Sequence, residues 1–219
     1  VYARGMSMDK EDKTIIRVSK DGPYIVSNLK TLRNSKGVFI ETKPTMAMCR
    51  CGGSASKPFC DGTHMKNDFS GEKKEDRVPD KMDTYKGKSI TIHDNRGVCS
   101  HRGHCTDNLP SVFRRGVEPW IDPDGADPEE IARVIRMCPS GALSYTIDGQ
   151  LHKDYPHDAE VFVGKDNAYN VVGNIELEDT DGSEPETQDH YCLCRCGGSK
   201  NKPFCDGSHR YIEFGDEKN

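Results

Sequence analysis

The chain has little from which to build a large core. Of its 219 residues, 33% are hydrophobic against 31% charged, and there is a single Trp. Modules with so little to bury usually need staples, either disulfides or metals. No apolar run approaches the length needed to span a bilayer. The start, Val1-Tyr2-Ala3-Arg4-Gly5 and then charged residues, has no apolar leader core, so no secretory signal is expected. Basic residues are scattered among acids, with a net charge of -5, which argues against a nucleic-acid footprint. Neither a Ser–His–Asp set, a phosphate loop nor a nicotinamide fingerprint is visible, so the chain is expected not to be an enzyme.

Cysteine, in contrast, is plentiful, with 10 residues. The string Cys-x-Cys-Gly-Gly-Ser-x3-Pro-Phe-Cys-Asp-Gly-x-His occurs twice, running from Cys49 to His64 and from Cys194 to His209. Each copy supplies three thiols and one imidazole, soft donors that together suggest a metal centre. Cys-x-Cys is poor disulfide grammar, because cysteines so close cannot easily pair with each other. Metal-bound thiolates imply a reducing compartment, so a cytoplasmic location is expected.

The two motifs are related by a constant offset that also carries Val18 onto Val163, Tyr24 onto Tyr169 and Phe69 onto Phe214. The repeat therefore spans roughly 15–69 and 160–214, and such a repeat decides the fold reading. Ile15-Ile16-Arg17-Val18 and Tyr24-Ile25-Val26 read as strands, as do Val161-Phe162-Val163 and Tyr169–Val172, with turns at Asp21-Gly22-Pro23 and Lys165-Asp166-Asn167. Residues 72–88 and 153–160 read as solvated linkers and 178–190 as an acidic loop. Between the linkers, Ser89–His93 alternates like a strand. Asp127-Pro128-Glu129-Glu130 starts a helix whose face carries Ile131, Val134, Ile135 and Cys138, with Pro139 ending it. Ala142–Ile147 reads as a strand turned by Asp148-Gly149. The boundaries drawn are 1–75, 76–155 and 156–219.

Within each motif, Cys49 and Cys51 (Cys194 and Cys196) share one side of an extended segment. Cys60 and His64 (Cys205 and His209) stack at i, i+4 on a helical turn. Gly52 and Gly53 permit a tight turn and close backbone approach to the metal. Asp61 can accept backbone N–H bonds at a helix start. Three Cys and one His suit tetrahedral zinc, and they suit a two-iron cluster equally.

The string resembles the CDGSH signature of the NEET-type iron–sulfur proteins at every motif position, twice. That resemblance implies two [2Fe–2S] clusters, one on Cys49, Cys51, Cys60 and His64, the other on Cys194, Cys196, Cys205 and His209. It also implies two β-rich modules closing as an intrachain pseudo-dimer, hence a monomer with internal two-fold pseudosymmetry. Imidazole ligation should raise the potential above that of an all-Cys site, and protonation of the ligating nitrogen should release the cluster in acid.

In the insert, Cys99, Cys105 and the remote Cys138-Pro139 follow ferredoxin grammar, with Arg102 where the middle ligand is expected. The segment is similar to divergent mono-cluster ferredoxin domains. Three cysteines point to [3Fe–4S]; His101 or His104 as a fourth ligand would instead hold [4Fe–4S]. Otherwise both histidines are loop residues. Trp120 reads as core packing, Cys192 as a free thiol, and His157 and His190 as solvated loop residues. Lys57 and Lys202 are either solvated charges or partial offsets to cluster charge.

The sequence thus predicts an α+β protein, two CDGSH modules around a ferredoxin-like insert, acting in one-electron transfer. The rival expectation is a cluster carrier or redox sensor. The expected partners are a redox protein or an apo-protein acceptor, with no nucleic acid and no membrane.

Overall fold

The computed structural model describes residues 13–217 and 219. The Val1–Gly5 stretch lies outside them. The first repeat forms β1 (Ile15–Val18), β2 (Tyr24–Ser27), β3 (Leu32–Arg33) and β4 (Thr45–Met48). The insert forms β5 (Met82–Lys86), β6 (Thr91–Asn95), α1 (His104–Asn108), α2 (Pro128–Ile135), β7 (Leu143–Ile147) and β8 (Gln150–His152). The second repeat forms β9 (Glu160–Val163), β10 (Tyr169–Val172), β11 (Glu176–Asp179) and β12 (His190–Leu193). Among the described residues no helix is long and apolar enough to cross a membrane.

Three four-stranded sheets result, ordered β11-β1-β2-β4, β12-β10-β9-β3 and β5-β6-β7-β8. The first two exchange strands. β1 pairs in parallel with β11, placing Ile16 opposite Leu177, while β9 pairs in parallel with β3, placing Val161 opposite Leu32. The repeat offset carries Leu32 onto Leu177, so each repeat's third strand completes the other's sheet. Arg33 locks one exchanged edge through a two-pronged contact with Glu160, both N–O distances being 2.5 Å. Arg17–Glu178 and Lys13–Glu176 pairs line the other.

The exchange follows from the shortage of apolar residues. β2 and β10 alternate buried and half-buried positions, the period-2 pattern of a strand with one covered face. Their buried side chains enter a single cluster holding Ile16, Val26, Leu32 and Met48 from one repeat with Val161, Val171, Tyr191 and Leu193 from the other. Tyr24 and Tyr169, equivalent by the offset, meet edge to face at its centre, 6.2 Å apart. Each hydroxyl crosses to the opposite motif. Tyr24 donates to the carbonyls of Cys194 (2.8 Å) and Pro203 (2.9 Å), and Tyr169 to those of Cys49 and Pro58 (2.9 Å each).

The insert is an antiparallel meander with α2 packed on it over a second core of Ile92, Phe113, Ile131, Val134, Ile135 and Tyr145. Asp127 caps α2, accepting from the Glu129 amide at 2.9 Å, with Pro128 at the first helical position. The helix stops at Ile135, not at Pro139. The amides of Met137 and Cys138 turn to the i-3 carbonyls of Val134 and Ile135, a tightened last turn that carries Cys138 off the helix.

Other expectations need correcting. β5 lies inside the stretch read as solvated linker; it is an edge strand whose side chains are exposed or half-exposed, so it carries no apolar signal. β8 was hidden for the same reason. The acidic loop read over 178–190 overlaps the end of β11 and the start of β12. His190 is buried at 3% exposure, stacked on Tyr155, and both its ring nitrogens lack hydrogen-bond partners. His157 is an exposed loop residue as expected, and bonds through Nδ1 to Asp189 at 2.5 Å.

Replacing Tyr24 with Phe strands the buried Cys194 carbonyl of the opposite motif, while the Pro203 carbonyl keeps the Cys194 amide, and is expected to cost about 1–3 kcal/mol. Denaturant unfolding of the full chain measures this, and Tyr169→Phe should match it.

Candidate metal centres

Each motif is a hairpin arm followed by a single tight turn. β4 delivers Cys49, whose amide donates to the Pro58 carbonyl at 2.8 Å, and the Cys60 amide donates to Ala47 at 2.8 Å. The second copy repeats this with Cys194 to Pro203 and Cys205 to Cys192, both 2.9 Å. Ser54 and Ser199 tie the loop, each hydroxyl donating at 2.7 Å to the carbonyl before the third cysteine, Phe59 or Phe204. Asp61 staples the exit as expected. It accepts from the Thr63 amide (3.0 Å), the Thr63 hydroxyl (2.6 Å) and the Ala55 amide (2.8 Å), which hold its carboxyl well below the usual carboxylate range. Asp206 accepts in the same way from the Ser208 (3.0 Å) and Lys200 (2.8 Å) amides.

The expected helical turn is a three-residue 3-10 turn, Thr63–Met65 or Ser208–Arg210, entered through a glycine at φ 85° or 84°. The donors therefore gather in two pairs per motif. Cys49 and Cys51 sulfurs are 3.9 Å apart and Cys60 Sγ lies 3.4 Å from His64 Nδ1. In the second motif the separations are 3.7 Å (Cys194–Cys196) and 3.4 Å (Cys205–His209 Nδ1). Among the described residues no three His, Cys, Asp or Glu groups converge as a site for one metal ion. None of the described cysteines is in a disulfide.

Gly52 turns the chain as expected, at φ 78°, and serves a second purpose. A Cβ there would stand 2.3 Å from the Cys196 carbonyl oxygen, and one at Gly197 2.5 Å from that of Cys51. The glycines permit the two motifs to touch back to back, where Cys51 and Cys196 form an antiparallel bridge.

Arg50 and Arg195, between the paired cysteines, have a structural role whose one sign in the sequence is their repetition. Both are buried. Arg50 donates to the carbonyls of Ser19 and Gly71 and lies over Tyr24 and Phe69. Arg195 donates to Gly164 and Asn167, pairs with Asp216 at 2.6 Å and lies over Phe214. Lys202 is buried and not a solvated charge; its ammonium donates to the Ser199 carbonyl at 2.5 Å and sits over Phe69 of the other repeat. Lys57 mirrors it on Ser54 and Phe214.

Cys99, Cys105 and Cys138 line one pocket in the insert, with Arg102, His104 and Trp120. Arg96 stacks over Trp120 at 4.0 Å, pairs with Asp94 at 3.1 Å and donates to Cys99 Sγ at 3.5 Å. Trp120 is thus a pocket wall as well as a packing residue against Phe113. His101, at φ 52°, turns toward the second motif, its ring filling the space beside Gly207. Cys192 is buried and its thiol donates to Asn170 Oδ1 at 3.2 Å.

Burial pushes the thiols up, Cys49 and Cys105 to about 11 and Cys99 to about 12. Unaided, such groups stay protonated; a cationic core supplies the charge that lets them ionise. The donor set, soft and buried or half-buried, fits such a core.

Residues 21–65 and 166–210 match the iron-binding zinc finger family of the CDGSH type, and residues 85–148 match the divergent 4Fe-4S mono-cluster family. The chain belongs to the CDGSH iron-binding proteins. It combines two such domains with a 4Fe-4S-type module between them. "Uncharacterized protein YjdI" of Escherichia coli K12 is 39% identical over 61 residues, which cover 28% of this CDGSH chain and 80% of that protein. The protein of the same name from Escherichia coli O157:H7 matches equally. No solved structure matches. These domains make the chain an iron–sulfur protein.

Removing the Arg195 guanidinium leaves Asp216 buried without its partner. Arg195→Met is expected to cost about 3–5 kcal/mol in chemical denaturation. Arg50→Met should cost less, because Gly71 stands where Asp216 does and no buried carboxylate is orphaned.

Proposed function

We propose that this chain is a one-electron carrier holding two [2Fe–2S] clusters and one [3Fe–4S] cluster, without substrate chemistry of its own. The paired donors support the two-cluster part. A single tetrahedral ion draws all four ligands to one point, whereas a two-iron core takes them two and two, as the sulfur and imidazole positions stand. Cys49, Cys51, Cys60 and His64 hold one cluster, and Cys194, Cys196, Cys205 and His209 the other. Cys99, Cys105 and Cys138 hold the third. Arg102 lies in that pocket at the place of the missing ligand, which supports three irons; His104, also at the pocket, is the group that would complete [4Fe–4S]. When bound, the clusters accept and release single electrons. Around them the chain's own residues hold the thiolates, exclude water and offset charge.

The observation that carries electron transfer is contiguity. Cys51 and Cys196 are bridged backbone to backbone, and His101 of the insert rests on Gly207 within the second motif. The strand exchange and the crossed tyrosine bonds support the intrachain pseudo-dimer, in which one chain does what two copies would otherwise do. The central module fills the place of a ferredoxin-like partner built into the chain. A redox protein of a reducing, cytoplasmic compartment is the external partner. A carrier delivering clusters to apo-proteins is the second reading, favoured by the half-exposed Cys60 and His64.

Anaerobically prepared protein should contain about seven iron and about eight acid-labile sulfide per chain. Low-temperature EPR of the oxidised form should show a [3Fe–4S] signal, the other centres being silent. One zinc per motif with no sulfide overturns the reading, and an EPR-silent protein with full iron replaces [3Fe–4S] with [4Fe–4S]. Fast reduction with retained clusters in the presence of apo-ferredoxin supports electron transfer; prompt transfer of clusters supports the carrier.

A further inference from the structure

The two CDGSH motifs share their ligands and spacing, so a difference between them must come from what surrounds them. That difference is large. Cys60 and His64 are partly open to solvent, whereas Cys205 and His209 are 2% and 4% exposed. Pro203 and Lys202 are likewise buried where Pro58 and Lys57 are half-open.

The cover is the insert and the segment leading into it. Asn201 donates from one amide nitrogen to the Gly97 carbonyl (2.9 Å) and to Asp80 Oδ1 (2.8 Å). The Lys74 amide donates to the Lys200 carbonyl at 2.8 Å, and the Lys200 ammonium pairs with Asp76. Arg210 donates to the His101 carbonyl at 3.3 Å, and the His101 ring occupies the space beside Gly207 so closely that a Cβ there would lie 2.4 Å from it. At the equivalent positions the first repeat has Ala55 for Lys200, Ser56 for Asn201 and Met65 for Arg210. Ala55 and Ser56 are exposed, and Met65 is 76% exposed. A Cβ on Gly62 would meet only the tip of Met65, at 3.1 Å.

We propose that the two CDGSH sites are unequal by construction: the central module seals the second, with His101 as its plug, and the first is the site open to exchange with external iron ligands. This rests on the reading that each motif holds a [2Fe–2S] cluster. The seal is made of side chains that differ between otherwise repeated segments, so it is specific to the second copy. It assigns His101 a positioning role at the junction of the modules, with its backbone carbonyl and its ring both engaged on the second motif.

The test uses the full chain carrying its clusters, at neutral pH, with EDTA as the external ligand. Each [2Fe–2S] loss releases its iron as ferric chelate and its sulfide as hydrogen sulfide. The three thiolates take protons from water and no electron is exchanged. Cys205→Ser leaves the first CDGSH site and Cys60→Ser leaves the second. Bleaching of the visible absorption should be at least about tenfold faster in Cys205→Ser, since opening the second site must first break the interface bonds. His101→Ala, and separately Asn201→Ser, should speed loss from the second site several-fold and leave the first unchanged. Equal rates in the two single-site proteins overturn the proposal, as does acceleration of both sites alike by His101→Ala. Should either serine variant fail to fold, the parent decides: two phases for the CDGSH clusters support inequality, and a single phase overturns it. Absence of iron and sulfide overturns the cluster reading and this inference together; iron and sulfide present with equal rates overturns this inference alone.

Discussion

The crossed hydrogen bonds of Tyr24 and Tyr169 are the constraint on which the molecule depends. Each ring is fully inside the shared core, yet its hydroxyl reaches the backbone of the motif belonging to the other repeat. A buried hydroxyl must find a partner, and a buried motif carbonyl must find a donor. Here one contact answers both needs, twice. The consequence is that neither motif has a complete backbone environment without the opposite repeat, and the exchange of β3 and β11 makes the same demand of the sheets. Two repeats too poor in apolar residues for separate cores obtain one core between them.

That arrangement also explains the spacing of small and charged residues inside the motif. Gly52 and Gly197 stand where two segments of the chain approach so closely that a Cβ would lie 2.3 or 2.5 Å from the facing carbonyl oxygen. Arg50 and Arg195 sit behind the paired cysteines, and each donates to backbone carbonyls of its own repeat's turns. The fixed positive charge acting on the buried Cys194 thiol comes instead from Lys202. Ordering of the turn and packing on Tyr24, Phe69, Tyr169 and Phe214 are therefore properties of the same two side chains.

Much of this was legible in the sequence where pattern and chemistry coincide. The repeat offset, the strands at Ile15, Tyr24, Val161 and Tyr169, the Asp127 cap and the pairing of Cys60 with His64 all rest on local spacing. The misses were non-local or lacked apolar contrast. β5 and β8 are polar edge strands. The exchange of β3 for β11 leaves no mark in either segment, because a strand that pairs with the other repeat alternates no differently from one that pairs with its own. His190 looked like a loop residue because its neighbours are acidic, whereas its ring is stacked on Tyr155 beneath them.

The same reasoning bears on how duplicated motifs diverge. Identical ligands constrain the positions that touch the metal and leave the flanking ones free. In the second repeat those flanking positions are Lys200, Asn201 and Arg210, and each serves an interface with the insert or the segment leading into it. In the first they are Ala55, Ser56 and Met65, with Met65 turned to solvent. The repeat supplies a matched pair of motifs; the hydrogen bonds of the third module to the second motif make their surroundings unequal without changing a motif residue. A signature scan sees two equal sites, because the inequality resides in residues the signature does not contain.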